Sequence, residues 1–347
     1  MKYPKTCNSL CAAALVALCC AASSALADPL QAFFYNRHDA LNYSIAENLR
    51  TLAEAQGVEL NIAFGNGQQE DLANFLAETE NEPTAGLIVF VKNRDAAAEP
   101  VHEAAKRNLP VIFISSDPGD KAMEGYRNSW YVGNNNSQAG TLQADILSKY
   151  LKSNAVWDVN GDGQLNYVLF KGENGHVATV ARTKTFKAQL RKLGIKSKAV
   201  EEEFCNWKSD CSRTAMDDYI KTTGLENIEA VICNNDQMAL GVVESLQSHD
   251  YNMGISNQYV PVIGVDGISD ALKRIEGGSM YGTVMRDAHA MAEVALKLAT
   301  LLTQGGESAV TRDALGLEVG RDRRIYTPYK LIYRNLGEVL NEQPQEN

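Results

Sequence analysis

The sequence lacks the groupings from which most enzymes and nucleic-acid binders are built. It has no G-x-S-x-G elbow, no H-E-x-x-H helix and no complete Walker loop. Its five histidines, His38, His102, His176, His249 and His289, fall at no metal-ligand spacing. There is no run of basic residues, and 43 acidic residues stand against 33 basic ones. That balance argues against nucleic acid and anionic membrane surfaces as partners. Cysteine is scarce beyond residue 20. Cys7, Cys11, Cys19 and Cys20 crowd the start, and only Cys205, Cys211 and Cys233 follow, with no C-x-x-C among them. No apolar run is long enough to cross a bilayer, which takes about 20 residues.

What the start does carry is an export signal. Lys2 and Lys5 precede an apolar stretch, Leu10 to Ala22, and small residues at Ala25 and Ala27 point to cleavage before Asp28. A membrane anchor would need a longer stretch and a charged flank. A lipoprotein would need a small residue before Cys19, where Leu18 stands. Residues 1–27 are therefore expected to be a signal peptide. Its loss takes two lysines and leaves 31 basic and 43 acidic residues, a net charge of −12. The remaining length suits one large or two medium domains.

Short apolar runs alternate with longer amphipathic ones. Ala32–Tyr35, Gly86–Val91, Pro110–Ile114, Tyr167–Lys171, Ala230–Asn234 and Pro261–Asp266 are continuous and rich in Val, Ile and Phe, as buried parallel strands require. Helical patterns lie between them, such as "SIAENLRTLAEA" and "KTFKAQLRKLG", the latter stopped by Gly194. Repeated βα units of this kind give the α/β class. The composition breaks at "SWYVGNNNSQAG", Ser129 to Gly140, which reads as a crossing between two similar domains. Ligands of such folds bind beyond the carboxyl ends of the strands.

Polar residues gather there. Asp39, His176, Arg182, Trp207, Asn235 and Asp266 each follow a strand-like run. Singly, each is a helix N-cap or a solvated loop residue. Together they suit a polyol, whose hydroxyls both donate and accept and whose ring faces a Trp can cover. Asp39 with Asp266 also leaves open a carboxylate pair for glycoside hydrolysis.

The stretch "DVNGDGQLNYVL" resembles an EF-hand calcium loop, with Asp158, Asn160, Asp162, Gln164 and Asn166 at ligand positions one, three, five, seven and nine. Position twelve, a bidentate Glu in that loop, is Leu169. Either the loop binds nothing or the carboxylate comes from elsewhere. Cys205 and Cys211 flank Trp207, and in an oxidising compartment a disulfide between them would hold the Trp207 loop. The alternative is three free thiols. Cys233, in a buried strand run, is expected to stay free.

From about Ala32 to Leu340 the chain resembles the periplasmic galactose/glucose-binding proteins of sugar ABC importers, among the type I periplasmic binding proteins. "DVNGDGQLNYVLFKGENGHVATVAR", "IEAVICNNDQMALG" and "VPVIGVD" carry the resemblance. It implies two Rossmann-like lobes joined by a three-strand hinge. The first lobe would hold 28–133 and 286–324, the second 134–285 and 325–347. It implies a structural Ca2+ whose missing carboxylate is Glu229. It also implies a periplasmic, monomeric, non-enzymatic protein that binds a galactose- or glucose-like monosaccharide, with an importer permease and a chemoreceptor as partners. The sugar contacts carry over to Asp39, His176, Arg182, Trp207, Asn235 and Asp266. The pattern is broken at Leu41 (an aromatic in the family), Ser115 (Asn), Ala178 (Asp) and Arg286 (Asn). The change at 178 and 286 makes the cleft more positive, which raises a hexuronate as an alternative ligand. Equally, Arg286 could neutralise a neighbouring aspartate and leave the ligand neutral.

Overall fold

The computed structural model describes residues 28–334 apart from 69, 155 and 255–257. The expected signal peptide, and residues 335–347 of the expected second lobe, lie outside the described residues. The first half runs β1 (Leu30–Phe34), α1 (Ala40–Gln56), β2 (Leu60–Phe64), α2 (Glu70–Thr79), β3 (Gly86–Phe90), α3 (Ala98–Arg107), β4 (Val111–Ile114), α4 (Asp120–Gly125) and β5 (Ser129–Gly133). The second runs α5 (Asn136–Ser153), β6 (Leu165–Lys171), α6 (Val177–Lys192), β7 (Ser197–Phe204), α7 (Ser209–Thr223), β8 (Ala230–Cys233), α8 (Asp236–Ser248), β9 (Val262–Asp266), α9 (Ser269–Glu276) and β10 (Gly282–Arg286). The chain then returns through α10 (Ala288–Gly305), α11 (Arg312–Leu315), β11 (Arg324–Tyr326) and β12 (Tyr329–Tyr333).

Two sheets result, ordered β11-β5-β4-β3-β1-β2 and β12-β10-β9-β8-β6-β7. The two orders correspond strand for strand, so the lobes are similar. Every pairing between these strands is parallel except β10 with β12. Both faces of each sheet are covered, which is why the strands are apolar throughout rather than alternating. Leu30, Ala32 and Phe34 face α1 and α10, while Phe33, Leu87 and Val89 face α2 and α3. In the second lobe Val168 and Phe170 face α7 and α8, and Leu165, Tyr167 and Leu169 face α5 and α6.

All six strand-like runs of the sequence are strands, within one or two residues. β5 was hidden in the composition break: Ser129–Gly133 is first-lobe core, and the crossing follows it at Asn134. The expected outer boundaries also shift. Arg286 ends β10 in the second sheet. β11 pairs with β5, so Ile325 and Tyr326 belong to the first lobe. Thr327-Pro328 divides β11 from β12, because Pro has no N–H with which to continue a ladder.

Helices α5 and α6 approach closely enough to need a glycine. A Cβ on Gly140 would stand 2.0 Å from the Arg182 carbonyl oxygen and 2.7 Å from Phe186 N. Gly140→Ala should gain helix propensity yet lose overall, because backbone cannot yield as a side-chain tip can; overpacking of this kind costs about 1–3 kcal/mol. A urea melt checks this, and an unchanged or raised midpoint contradicts it.

Candidate functional site

The strand ends open onto one cavity of about 290 Å³ between the lobes. That is near the lower end of the roughly 300–1,000 Å³ usual for small-molecule sites. The eight residues singled out in the sequence, Asp39, Ser115, His176, Arg182, Trp207, Asn235, Asp266 and Arg286, all line it, as do Leu41 and Ala178.

Three of them are helix N-caps as well. Asp39 Oδ1 accepts from Asn42 N at 2.8 Å, and Asn235 Oδ1 accepts from Met238 N at 3.1 Å. His176 Nδ1 accepts from Ala178 N at 3.2 Å. The bland and the functional readings of these residues are thus both true: the cap fixes the side chain, and its other face meets the cavity. With Nδ1 accepting, the neutral ring carries its proton on Nε2. Burial, and then Arg182, push the His176 pKa down to about 4, so the ring stays neutral at ordinary pH.

Asp266 is the centre of the charges. Its Oδ1 lies 3.7 Å from Arg286 Nη1 and 3.9 Å from Arg182 Nη2. Burial pushes its pKa up to about 6 against the pull of the two guanidiniums. Asp266 Oδ1 and Arg182 Nε are buried with no hydrogen-bond partner among the described residues. The backbone is strained here too: Asp266 has φ 126°, Ser115 69° and Trp207 68°. Non-glycine residues cost about 1–3 kcal/mol each in such conformations, and they cluster where a site demands them.

Trp207 is held from several sides. Its indole meets the His176 ring edge-on at 5.2 Å, and the Arg182 guanidinium lies 5.9 Å from its ring. Asn235 Nδ2 donates to its carbonyl at 3.3 Å. Cys205 and Cys211 are joined by a disulfide, Cα atoms 5.3 Å apart, and Cys233 is free and buried. The small closed loop limits the chain-entropy gain to about 2 kcal/mol. A Cβ on Gly172 would lie 2.1 Å from the indole, so only glycine lets the ring down onto the end of β6.

The sequence reading missed Tyr35, Phe90, Lys92, Asn93, Arg94, Asp95, Ser116, Asp117 and Asn136, which also line the cavity. Most directly follow a strand, and position after a strand was the signal that could have found them. With them counted, four carboxylates (Asp39, Asp95, Asp117, Asp266) meet four cations (Lys92, Arg94, Arg182, Arg286) around the wall. Asp236, the first residue of α8, was not among the site residues expected from the sequence. It is fully buried behind Asp266. Its Oδ2 accepts from Gly267 N at 2.6 Å and Ile268 N at 3.0 Å, and its Oδ1 from Thr283 Oγ1 at 2.7 Å. It clamps the turn that bears Asp266.

A family model of the periplasmic binding protein domain matches residues 36–307. The chain belongs to that family. It is 33% identical over 249 residues to the D-galactose/methyl-galactoside binding periplasmic protein of Haemophilus influenzae, covering 71% of this chain and 72% of that one. It is 24% identical over 294 residues to the D-xylose-binding periplasmic protein of Escherichia coli, covering 83% and 82%. Among solved structures, a periplasmic solute-binding protein of an ABC transporter from Actinobacillus succinogenes, with bound D-allose, superposes with TM-score 0.71 at 17% identity. That match covers 88% of this chain and 97% of the other, and shows the type I fold with its two lobes. This member of the family is accordingly a periplasmic binding protein and not an enzyme, and the glycosidase reading of Asp39 and Asp266 falls. Among the described residues no helix is long and apolar enough to cross a membrane.

The calcium-like loop of this binding protein sits between α5 and β6. Gly163 N donates to Asp158 Oδ2, Asp162 N to Asn160 Oδ1, and Gln164 N to Asp162 Oδ1. β8 lies beside β6 and brings Glu229 to the loop. Its two carboxylate oxygens accept from Val159 N at 2.9 Å and Asn166 N at 2.8 Å. No three acidic, His or Cys side chains among the described residues converge to metal-holding distance. The donor chemistry nonetheless fits a hard cation. All the groups are oxygens, and Asp158 Oδ1 is buried without a hydrogen-bond partner. Burial raises the Glu229 pKa, and Asp158 and Asp162 add to it.

Burial, and then Asp266, push the Asp236 pKa up to about 7. A raised folded-state pKa favours the folded protein at low pH. The contribution is complete below the unfolded value near 4 and is lost as pH rises to about 7. Asp236→Asn keeps the shape and both amide bonds, so it should flatten the decline in melting temperature of the ligand-free protein between pH 4 and 7. Parallel pH–melting curves for the two proteins would contradict this.

Proposed function

We propose that this protein captures an uncharged monosaccharide, of the galactose or glucose class in size and polarity, between its two lobes and delivers it to the permease of an ABC importer. The closed form is also the one a chemoreceptor would read. The observation that carries this reading is the lining of the cavity between the lobes, where the carboxylates Asp39 and Asp266, the Asn235 amide, the guanidiniums of Arg182 and Arg286 and the Trp207 ring meet. A sugar's hydroxyls, each both donor and acceptor, suit that mixture of acceptors and donors, and its ring face suits the indole. The four-to-four balance of charge supports a neutral ligand, and the neutral His176 adds no charge. The hexuronate alternative needs a free guanidinium fork, and Arg286 already donates Nε to Asn134 and Nη2 to Ser115, with Nη1 3.7 Å from Asp266. The Haemophilus relative, a galactose binder by name, supports the sugar class. Leu41 and Ala178 make that part of the wall apolar, which favours a sugar with fewer hydroxyls to satisfy there.

A thermal-shift panel of uncharged hexoses, pentoses and hexuronates tests this. A ligand at a thousand times its Kd stabilises the folded state by about 4 kcal/mol. At least one uncharged monosaccharide should produce a shift of that order. A response confined to uronates, or no response to any sugar, contradicts the reading.

The loop 158–166 with Glu229 would hold Ca2+ as a structural ion, its charge offsetting three carboxylates that otherwise repel. A chelator should then lower the melting temperature, and Glu229→Gln should do so without chelator. Unchanged melting in both experiments removes calcium from the account.

A further inference from the structure

One buried network joins all three crossings between the lobes. Asn134, at the first, donates through Nδ2 to the Thr327 carbonyl at 2.8 Å and to Thr327 Oγ1 at 3.1 Å, at the third. Its Oδ1 accepts from Arg286 Nε at 2.9 Å, at the second. Arg286 Nη2 then donates to Ser115 Oγ at 2.6 Å and to the Ser115 carbonyl at 3.1 Å. Its Nη1 points to Asp266 at 3.7 Å. Ser115 follows β4 in the first sheet, while Arg286 and Asp266 end β10 and β9 in the second. A single guanidinium thus spans the two lobes at the floor of the cavity.

The bonds are of the strong kind. Arg286 and Ser115 are both nearly buried, and the interaction is charge-assisted. Ser115 adopts φ 69°, and its two oxygens converge on one nitrogen. An opening that parted the end of β4 from the ends of β9 and β10 would break both Ser115 bonds or pull the guanidinium off Asp266, leaving a buried charge with fewer partners.

We propose that Arg286 is an interlobe latch: with Ser115 and Asn134 it holds the lobes together before any ligand arrives, and it positions Asp266 without itself being the ligand's main contact. The inference rests on the reading that ligand binds between closing lobes, but not on which ligand that is. Its consequence is thermodynamic. A protein already closed binds with nearly its intrinsic affinity, whereas one that must first close loses affinity in proportion to its closed fraction.

The test uses small-angle X-ray scattering on protein stripped of ligand by unfolding and refolding. Wild type should be compact without ligand. Arg286→Lys keeps the charge but loses the fork, and Ser115→Gly keeps the backbone conformation but loses the hydroxyl. Both should show a larger radius of gyration, Arg286→Lys the more, and both should return to the compact value with a saturating ligand from the thermal-shift panel. Affinity should fall by about tenfold in Arg286→Lys if nine-tenths of the variant is open. A wild type that is already open without ligand, or an Arg286→Lys protein as compact as wild type, overturns the latch. Because the deciding comparison contains no ligand, it can fail while the sugar reading stands, and the reverse.

Discussion

Much of this structure is arranged around one carboxylate that is short of water. Asp266 sits at the end of a central strand with two guanidiniums beside it and a second aspartate behind it. Desolvation opposes its charge, and Arg182 and Arg286 keep it within reach of ionisation. Each of those arginines is fixed in turn: Arg182 by the Asn234 carbonyl and by the close contact of α5 with α6, Arg286 by Ser115 and Asn134. Asp236 holds the turn. Removing either arginine leaves a buried charge partly unpaired, which costs more than the lost contact itself.

The rest of the cleft follows from where parallel strands end. Helix N-termini lie there, so the side chains that cap them are also the side chains a ligand meets. Asp39, His176 and Asn235 serve both purposes, and their geometry costs nothing extra to maintain. Trp207 is the exception. It lies in a left-handed loop and caps no helix itself; the Cys205–Cys211 disulfide ties the loop to α7, Asn235 holds its carbonyl, and the bare backbone of Gly172 lets the ring in.

Both lobes were legible in the sequence because buried parallel strands leave unbroken apolar runs. The eight polar residues were legible because they follow those runs or stand where the family keeps its contacts. What escaped was short of either signal. β5 hid in a stretch that also held the crossing, and β11 is three residues long. Asn134 and Thr327 were expected at hinge crossings, but their bonds to each other were not legible: both are ordinary loop residues by type, and only the return of the chain brings them together across 193 positions. The fate of Arg286 was open in the sequence for the same reason: whether a guanidinium meets a ligand or a protein partner depends on the placement of Ser115, which is a matter of tertiary structure.

The pH dependence of sugar affinity tests the central claim most directly. If ionised Asp266 accepts the ligand's hydroxyl, protons compete with the sugar for it. Calorimetry should find a constant Kd above about pH 7, rising as pH falls through about 6, where Asp266 takes up its proton, by up to about tenfold for each further unit. His176, neutral until about pH 4, should leave no mark in this range. A Kd that stays flat from pH 8 to 5, or tightens as pH falls, would contradict the account.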